Sequence, residues 1–309
     1  FCEKLAVWLL TFSVAVIVIQ GLIIGGVLDV SNARQLATRG SLSGALMGGL
    51  LFGAGMIMTR GCASRLLILS ANGNLRALLS GLVFAVTAQS SLSGALSPLR
   101  NEITNLWTIE GGSHRDLLAS LGLTHSTGLA VGGIWFLAAL YFTTRTTQRA
   151  WMWIGGVGTG MSVALAWWFT YQVSLSSFEV ITIQGITFSG PSAEWLMRVL
   201  APNPPNIGFD FGLLPGVFVG SFLGAWFGQE LKLEGFKDGY AMTRYIMGAI
   251  LMGFGAMLAG GCAVGAGVTG GAIFATTAWL ALVGMWMGAG LVDRWLDAPP
   301  ISSPTLVQP

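Results

Sequence analysis

Charge is scarce in this chain. Lys, Arg, Asp and Glu make up 9% of its 309 residues, against about 25% in soluble domains. That leaves too little polar surface to cover a water-soluble globule of this size. Cysteine occurs three times and histidine twice. An odd, sparse set of cysteines makes no disulfide framework, and so few soft ligands make no obvious structural zinc site. The net charge of +2 is spread over many loops without a basic tract, which argues against nucleic acid as a partner. There is no GxxxxGK[ST] phrase, so nucleotide hydrolysis is not expected, and no cofactor is expected either. What the chain has instead is 53% hydrophobic residues and 45 glycines, with a mean hydropathy of +0.72. The expected class is an all-α polytopic membrane protein.

A spanning helix needs about 20 mainly apolar residues. Eight stretches qualify, at roughly 5–28, 41–59, 74–95, 126–142, 150–173, 211–229, 244–260 and 271–292. The first is longer than a signal-peptide core and lacks a clear small-residue cleavage site, so it reads as a spanning helix. The polar connections at 96–125 and 174–210 carry short apolar pieces, such as Asp116-Leu117-Leu118 and Trp195-Leu196-Met197, that suit interfacial or re-entrant helices. Trp151, Trp153, Trp167 and Trp168 bracket the fifth stretch as an interfacial belt would. His114 and His125 fall in a polar connection and read as solvated.

One phrase is written twice. Residues 53–65 read GAGMIMTRGCASR, and residues 253–265 read GFGAMLAGGCAVG. Aligned without a gap, Met47, Gly48, Leu51, Gly53, Gly55, Gly61, Cys62 and Ala63 match Met247, Gly248, Leu251, Gly253, Gly255, Gly261, Cys262 and Ala263. Each copy is preceded and followed by an apolar stretch. Five crossings separate the two copies, so they should run in opposite directions. That is an inverted repeat, with a substrate site expected near the midplane at the repeat interface. The expected division is 1–142 for the first repeat, lacking an upstream helix, and 143–309 for the second, in one integral membrane domain.

Orientation follows from the basic residues. Ten of the fifteen fall on one side: Lys4, Arg60, Arg65, Arg76, Arg145, Arg149, Lys232, Lys237, Arg244 and Arg294. The positive-inside rule makes that side cytoplasmic.

The glycines at 48, 49, 53 and 55 let helix backbones approach closely, and packing is a sufficient reason for them. The Gly61-Cys62 and Gly261-Cys262 steps differ. Each follows a run already long enough to reach deep into a bilayer. A short apolar piece comes next, and then a break, at Asn72-Gly73-Asn74 in one copy and at Gly270-Gly271 in the other. Freed backbone groups at that depth are tolerated where protein buries them or where they line a polar path. The N-terminus of a half-helix offers unpaired N–H groups and a positive dipole end to an anion. Asn74 is placed to cap the helix that follows. A single cysteine in a membrane helix is commonly just a small packing residue. Two at equivalent breaks suggest neutral thiols donating weak hydrogen bonds to a soft, sulfur-bearing anion. Arg60 stands where the second copy has Gly260; it could attract that anion or reach out to the interface.

The phrases GAGMIMTRGCAS and GFGAMLAGGCAVGAGVTG, with NGNLRALL at 72–79, resemble the YeeE/YedE family of sulfur-transport membrane proteins. The likeness is strongest over 47–79 and 245–271. The resemblance implies a bacterial inner-membrane permease of inverted repeats that takes up thiosulfate, not an enzyme, with a small cytoplasmic sulfur-handling protein as partner. It implies transfer of the ion between cysteine thiols, with Cys62 and Cys262 as two of them. Phe1-Cys2 looks like the end of the family's Arg-x-x-Phe-like stretch, which makes Cys2 the third. Cys2, Cys62, Cys262, Gly61, Gly261 and Arg60 are therefore the expected substrate-binding residues. Two other readings stay open: a carrier of another sulfur or selenium species or a soft metal, and a membrane thiol-disulfide oxidoreductase, which usually needs exposed, low-pKa cysteines in pairs.

Overall fold

The computed structural model describes residues 2–145, 150–178, 181–200, 209–235 and 239–296. The first half runs α1 (Cys2–Ile24), α2 (Arg34–Ala37), α3 (Leu42–Thr59), α4 (Ala63–Ala71), α5 (Leu75–Ser93), α6 (Ser97–Asn105), α7 (Leu117–Ser120) and α8 (His125–Thr144). A 3₁₀ turn at Ser113–Arg115 precedes α7. The second half runs α9 (Ala150–Ser176), α10 (Ser189–Leu200), α11 (Phe209–Phe227), α12 (Gly239–Ala259), a π-helix (Ala263–Gly270) and α13 (Thr276–Leu296). Among the described residues the only sheet is a two-residue antiparallel pair, β1 (Gly40–Ser41) with β2 (Thr108–Ile109).

A long helix stands at each of the eight expected places. By length and apolarity, five stretches among the described residues are able to cross a membrane: Leu5–Ile24, Leu42–Ala71, Leu75–Ser93, His125–Thr143 and Ala241–Gly270; Phe211–Phe227 is a shorter apolar helix. Large apolar side chains such as Ile134, Leu137, Val219, Met287 and Leu291 are exposed. In water that would be a liability; against lipid it is the expected outer face. The chain is a multi-pass membrane protein.

The glycines position the central helices. A Cβ placed on Gly48 would lie 2.6 Å from the Gly255 carbonyl oxygen, and one on Gly55 would lie 2.5 Å from that of Gly248. So residue 48 faces 255 and residue 55 faces 248, and α3 and α12 are antiparallel. The contacts exchange under the 200-residue offset of the repeat. The flanking pairs exchange likewise, with Gly53 against Met285 of α13 and Gly253 against Phe84 of α5. Outside this centre, α1 packs along α8 and α9 and also touches the π-helix, while α11 packs against α4.

Local signals explain the helix limits. The Ser41 hydroxyl accepts from the Gly44 N–H at 2.8 Å, and Asn74 Oδ1 accepts from the Ala77 N–H at 2.9 Å, as N-caps do. Both central helices end in a left-handed residue, Arg60 (φ 57°) and Gly260 (φ 76°). The next N–H reaches back to close the turn, Gly61 to Met56 at 3.1 Å and Gly261 to Ala256 at 2.9 Å.

Three expectations change. The second break falls beyond Gly270-Gly271: the π-helix runs through Gly270, Gly271 keeps right-handed helical angles, and the chain turns at a left-handed Phe274 (φ 55°). Trp167 is no interfacial belt residue; it is fully buried in the middle of α9, against Gly185. His125 is not a solvated loop residue. It opens α8 and lies 3.0 Å from Oε1 of the buried Gln20, whose Nε2 donates to the Ala272 carbonyl at 2.8 Å. A glutamine in an apolar helix hides no partner in the sequence, so the link was not legible there.

The close approach of α3 and α12 yields a prediction. Gly48→Leu and Gly55→Leu each force bulk against backbone and should lower stability by at least about 2–3 kcal/mol. Gly81→Ala, which meets nothing within 4 Å, should be neutral or slightly stabilising. Thermal melting of the purified variants in detergent checks both; equal midpoints would contradict the packing.

Candidate functional site

The two cysteines occupy equivalent places in the chain. Cys62 is the N-cap residue of α4 and Cys262 that of the π-helix, each in extended backbone just after a left-handed helix end. Both pack into one apolar cluster that includes Phe52, Leu66, Phe84, Phe188 and Ala266. Two short helices that follow opposite ends of the α3–α12 pair thus bring their N-terminal sulfurs to one region.

Their surroundings differ. Cys262 is buried, while Cys62 is half-buried. The Gly265 N–H lies 3.5 Å from Cys262 Sγ, and Phe188 is buried in the same cluster as Cys262. Phe188 belongs to a strap, residues 181–188, held against the π-helix. Thr269 donates to the Ile186 carbonyl at 2.7 Å, and Thr170 lies 2.8 Å from that of Gln184. Cys62 Sγ instead sits 3.2 Å from the Ser64 hydroxyl, where the second copy has Val264. At position 265 a side chain would strike Thr187; the first copy has an exposed Arg65 there.

The two glycines before the cysteines are not equally constrained. A Cβ on Gly261 would lie 2.9 Å from the Ala266 backbone nitrogen, whereas one on Gly61 meets only the flexible Arg65 side chain, at 3.3 Å. Arg60 is exposed and shares its end of the helix pair with other basic groups. Arg76 stacks over the Tyr245 ring at 4.7 Å, and Arg244 donates to the Ile57 carbonyl at 3.1 Å. Cys2 begins α1, but its side chain lies outside the described residues.

At the other end a cavity of about 430 Å³ opens among the loops. It reaches Gly260, Gly265 and Ala266, the neighbours of Cys262, and is lined by Arg34, Arg39, Arg100 and Arg115. Those are four of the five basic residues on the side with fewer positive charges. Counting charges by side flags them as a minority, but their convergence rests on three separate loops meeting and is not visible along the chain.

A family model described as Sulphur transport matches residues 2–291. Over 273 residues the chain is 25% identical to "Thiosulfate transporter TsuA" of Escherichia coli (strain K12), covering 81% of this chain and 74% of that one. It is 28% identical over 273 residues to "Thiosulfate transporter TsuA" of Spirochaeta thermophila, covering 82% and 79%. With a repeated glycine-cysteine phrase, an apolar helical bundle and a match over nearly its whole length, this chain belongs to the Sulphur transport family.

Proposed function

We propose that the chain is a permease for thiosulfate in the bacterial inner membrane, and that the anion passes between neutral thiols on a path through the region shared by Cys62 and Cys262. The observation that carries this reading is the meeting of those two cysteines, at two half-helix N-termini, in one apolar cluster. The names of the two relatives support thiosulfate as the ion.

The chemistry needs no covalent step. The Gly265 N–H donates to Cys262 Sγ, which leaves the thiol proton free to point at a terminal sulfur. At Cys62 the Ser64 hydroxyl stands beside the thiol as a second donor. The positive ends of α4 and the π-helix favour the ion's negative charge. A thiol is a weak donor, so each stop is shallow enough to leave. Cys2 is the third thiol by resemblance. Arg60 draws the anion at the mouth on the Cys62 side, and Gly61 and Gly261 let the chain turn tightly into each half-helix.

A hydrogen bond to a charged partner is worth about 1.5–3 kcal/mol. Cys62→Ala and Cys262→Ala should therefore each lower uptake of labelled thiosulfate by about ten- to a hundredfold, in cells without other importers and at equal amounts of folded protein. Normal uptake by both variants would refute the thiol path. Redox-dependent thiol labelling during turnover would point to an oxidoreductase instead.

Arg60→Gly separates charge from backbone. The left-handed conformation costs a non-glycine residue about 1 kcal/mol, so the variant should be at least as stable as the parent. Its uptake at low thiosulfate should fall several-fold. Unchanged uptake would mean that Arg60 only ends the helix.

A further inference from the structure

We propose that Phe188 is a specificity-determining residue of the anion path: its ring, with those of Phe52 and Phe84, closes a dry neck between Cys262 and Cys62 that passes a soft anion and refuses a strongly hydrated oxyanion. The three rings come from separate elements, Phe52 from α3, Phe84 from α5 and Phe188 from the strap ahead of α10. All three are buried, and they share one cluster with both sulfurs. This inference rests on the thiol-path reading and adds what discriminates between ions on it.

No charged side chain packs among these rings. Arg115, the one charged side chain buried among the described residues, donates to the Thr38 carbonyl and the Thr277 hydroxyl. The buried hydroxyls of α3 and α5 are turned onto their own helices: Thr59 donates to the Gly55 carbonyl at 2.8 Å, Ser80 to that of Arg76 at 2.9 Å and Thr87 to that of Val83 at 2.9 Å. An ion moving from one thiol to the other therefore sheds water and meets ring edges and sulfur in its place. Burying charge without hydrogen bonds is costly. The cost is smallest for an ion with part of its charge on a large sulfur, because sulfur is polarizable and sits favourably at the positive edge of an aromatic ring. Sulfate carries its charge on oxygens alone and gains little there.

Phe188 is the ring that can be changed without disturbing the central helices. Phe52 and Phe84 belong to α3 and α5, where Gly255 and Gly253 abut their backbones. Phe188 hangs instead from a strap fixed on both sides of it. The Ser192 hydroxyl donates to the Phe188 carbonyl at 2.6 Å. Thr269 and Thr170 hold the carbonyls of Ile186 and Gln184, and Thr187 lies against Gly265. With its backbone held in this way the ring keeps one position. Shortening it opens the neck and leaves the glycine contacts of α3 with α12 in place.

Two readouts test the neck. The first is the ratio of labelled sulfate to labelled thiosulfate uptake, in cells without other importers for either ion and at equal amounts of folded protein. The ratio should rise by about tenfold or more in Phe188→Ala. Phe188→Val, a smaller opening that is gentler on folding, should move it the same way and less. The second is labelling of Cys62, kept as the only cysteine, by a small membrane-impermeant methanethiosulfonate added from the Cys262 side. The reagent should fail with Phe188 in place and succeed in Phe188→Ala. Uptake of both ions that falls in parallel makes Phe188 a packing residue only and overturns the proposal, as does Cys62 that stays shielded in both variants. An unmoved ratio in a parent that transports thiosulfate sinks the neck alone. A parent that takes up no thiosulfate sinks the uptake reading, and the specificity role with it.

Discussion

Close backbone contact between α3 and α12 sets the rest of the structure. Ordinary helix pairs keep their axes about 8–10 Å apart; the glycines at 48, 55, 248 and 255 leave room for only backbone between these two. Because the pair is antiparallel, one helix ends where the other begins. Each end is then closed by a left-handed residue and followed by a cysteine at the head of a short helix. Had the copies run in parallel, both cysteines would follow the same end. The inversion lets two sulfurs approach one cluster from opposite sides.

The halves depart from each other around the two cysteines. Cys262 is closed in by a strap and by the cramped Gly265, while Cys62 is more open and has a serine beside it. The half-helix after Cys262 is wound as a π-helix, the one after Cys62 as an α-helix. Arginine replaces glycine at 60 and 65. One end of the helix pair carries a cavity with a buried Arg115, and the other carries Arg60, Arg76 and Arg244, with Arg76 over the Tyr245 ring. Positive side chains thus stand at both ends of the helix pair, and the two sulfurs share the apolar cluster of Phe52 and Phe84.

Much of this was legible in the residues. Charge scarcity gave the membrane class, apolar runs gave the eight helices, and the ungapped repeat placed Gly61, Cys62, Gly261 and Cys262 at matching turns. Asn74 caps where its side chain and position said it would. Other features depend on contacts distant in sequence. Gln20 meets His125 and Ala272 only once α1, α8 and the second break are packed. Trp167 looks like a belt residue until the strap brings Gly185 onto it. The arginine cavity needs three loops and the end of α12. The second break was misplaced because Gly270-Gly271 carries a turn-like composition, yet continues the π-helix instead.

The most direct test is the side from which each sulfur is reached. Single-cysteine variants holding Cys62 or Cys262 would be treated with a small, membrane-impermeant methanethiosulfonate in right-side-out and in inverted vesicles. Cys262 should react from the face bearing Arg34, Arg39, Arg100 and Arg115, and Cys62 from the opposite face, with thiosulfate protecting both. Labelling of both from one face, or labelling that thiosulfate leaves unchanged, would contradict a shared path between mirrored half-helices.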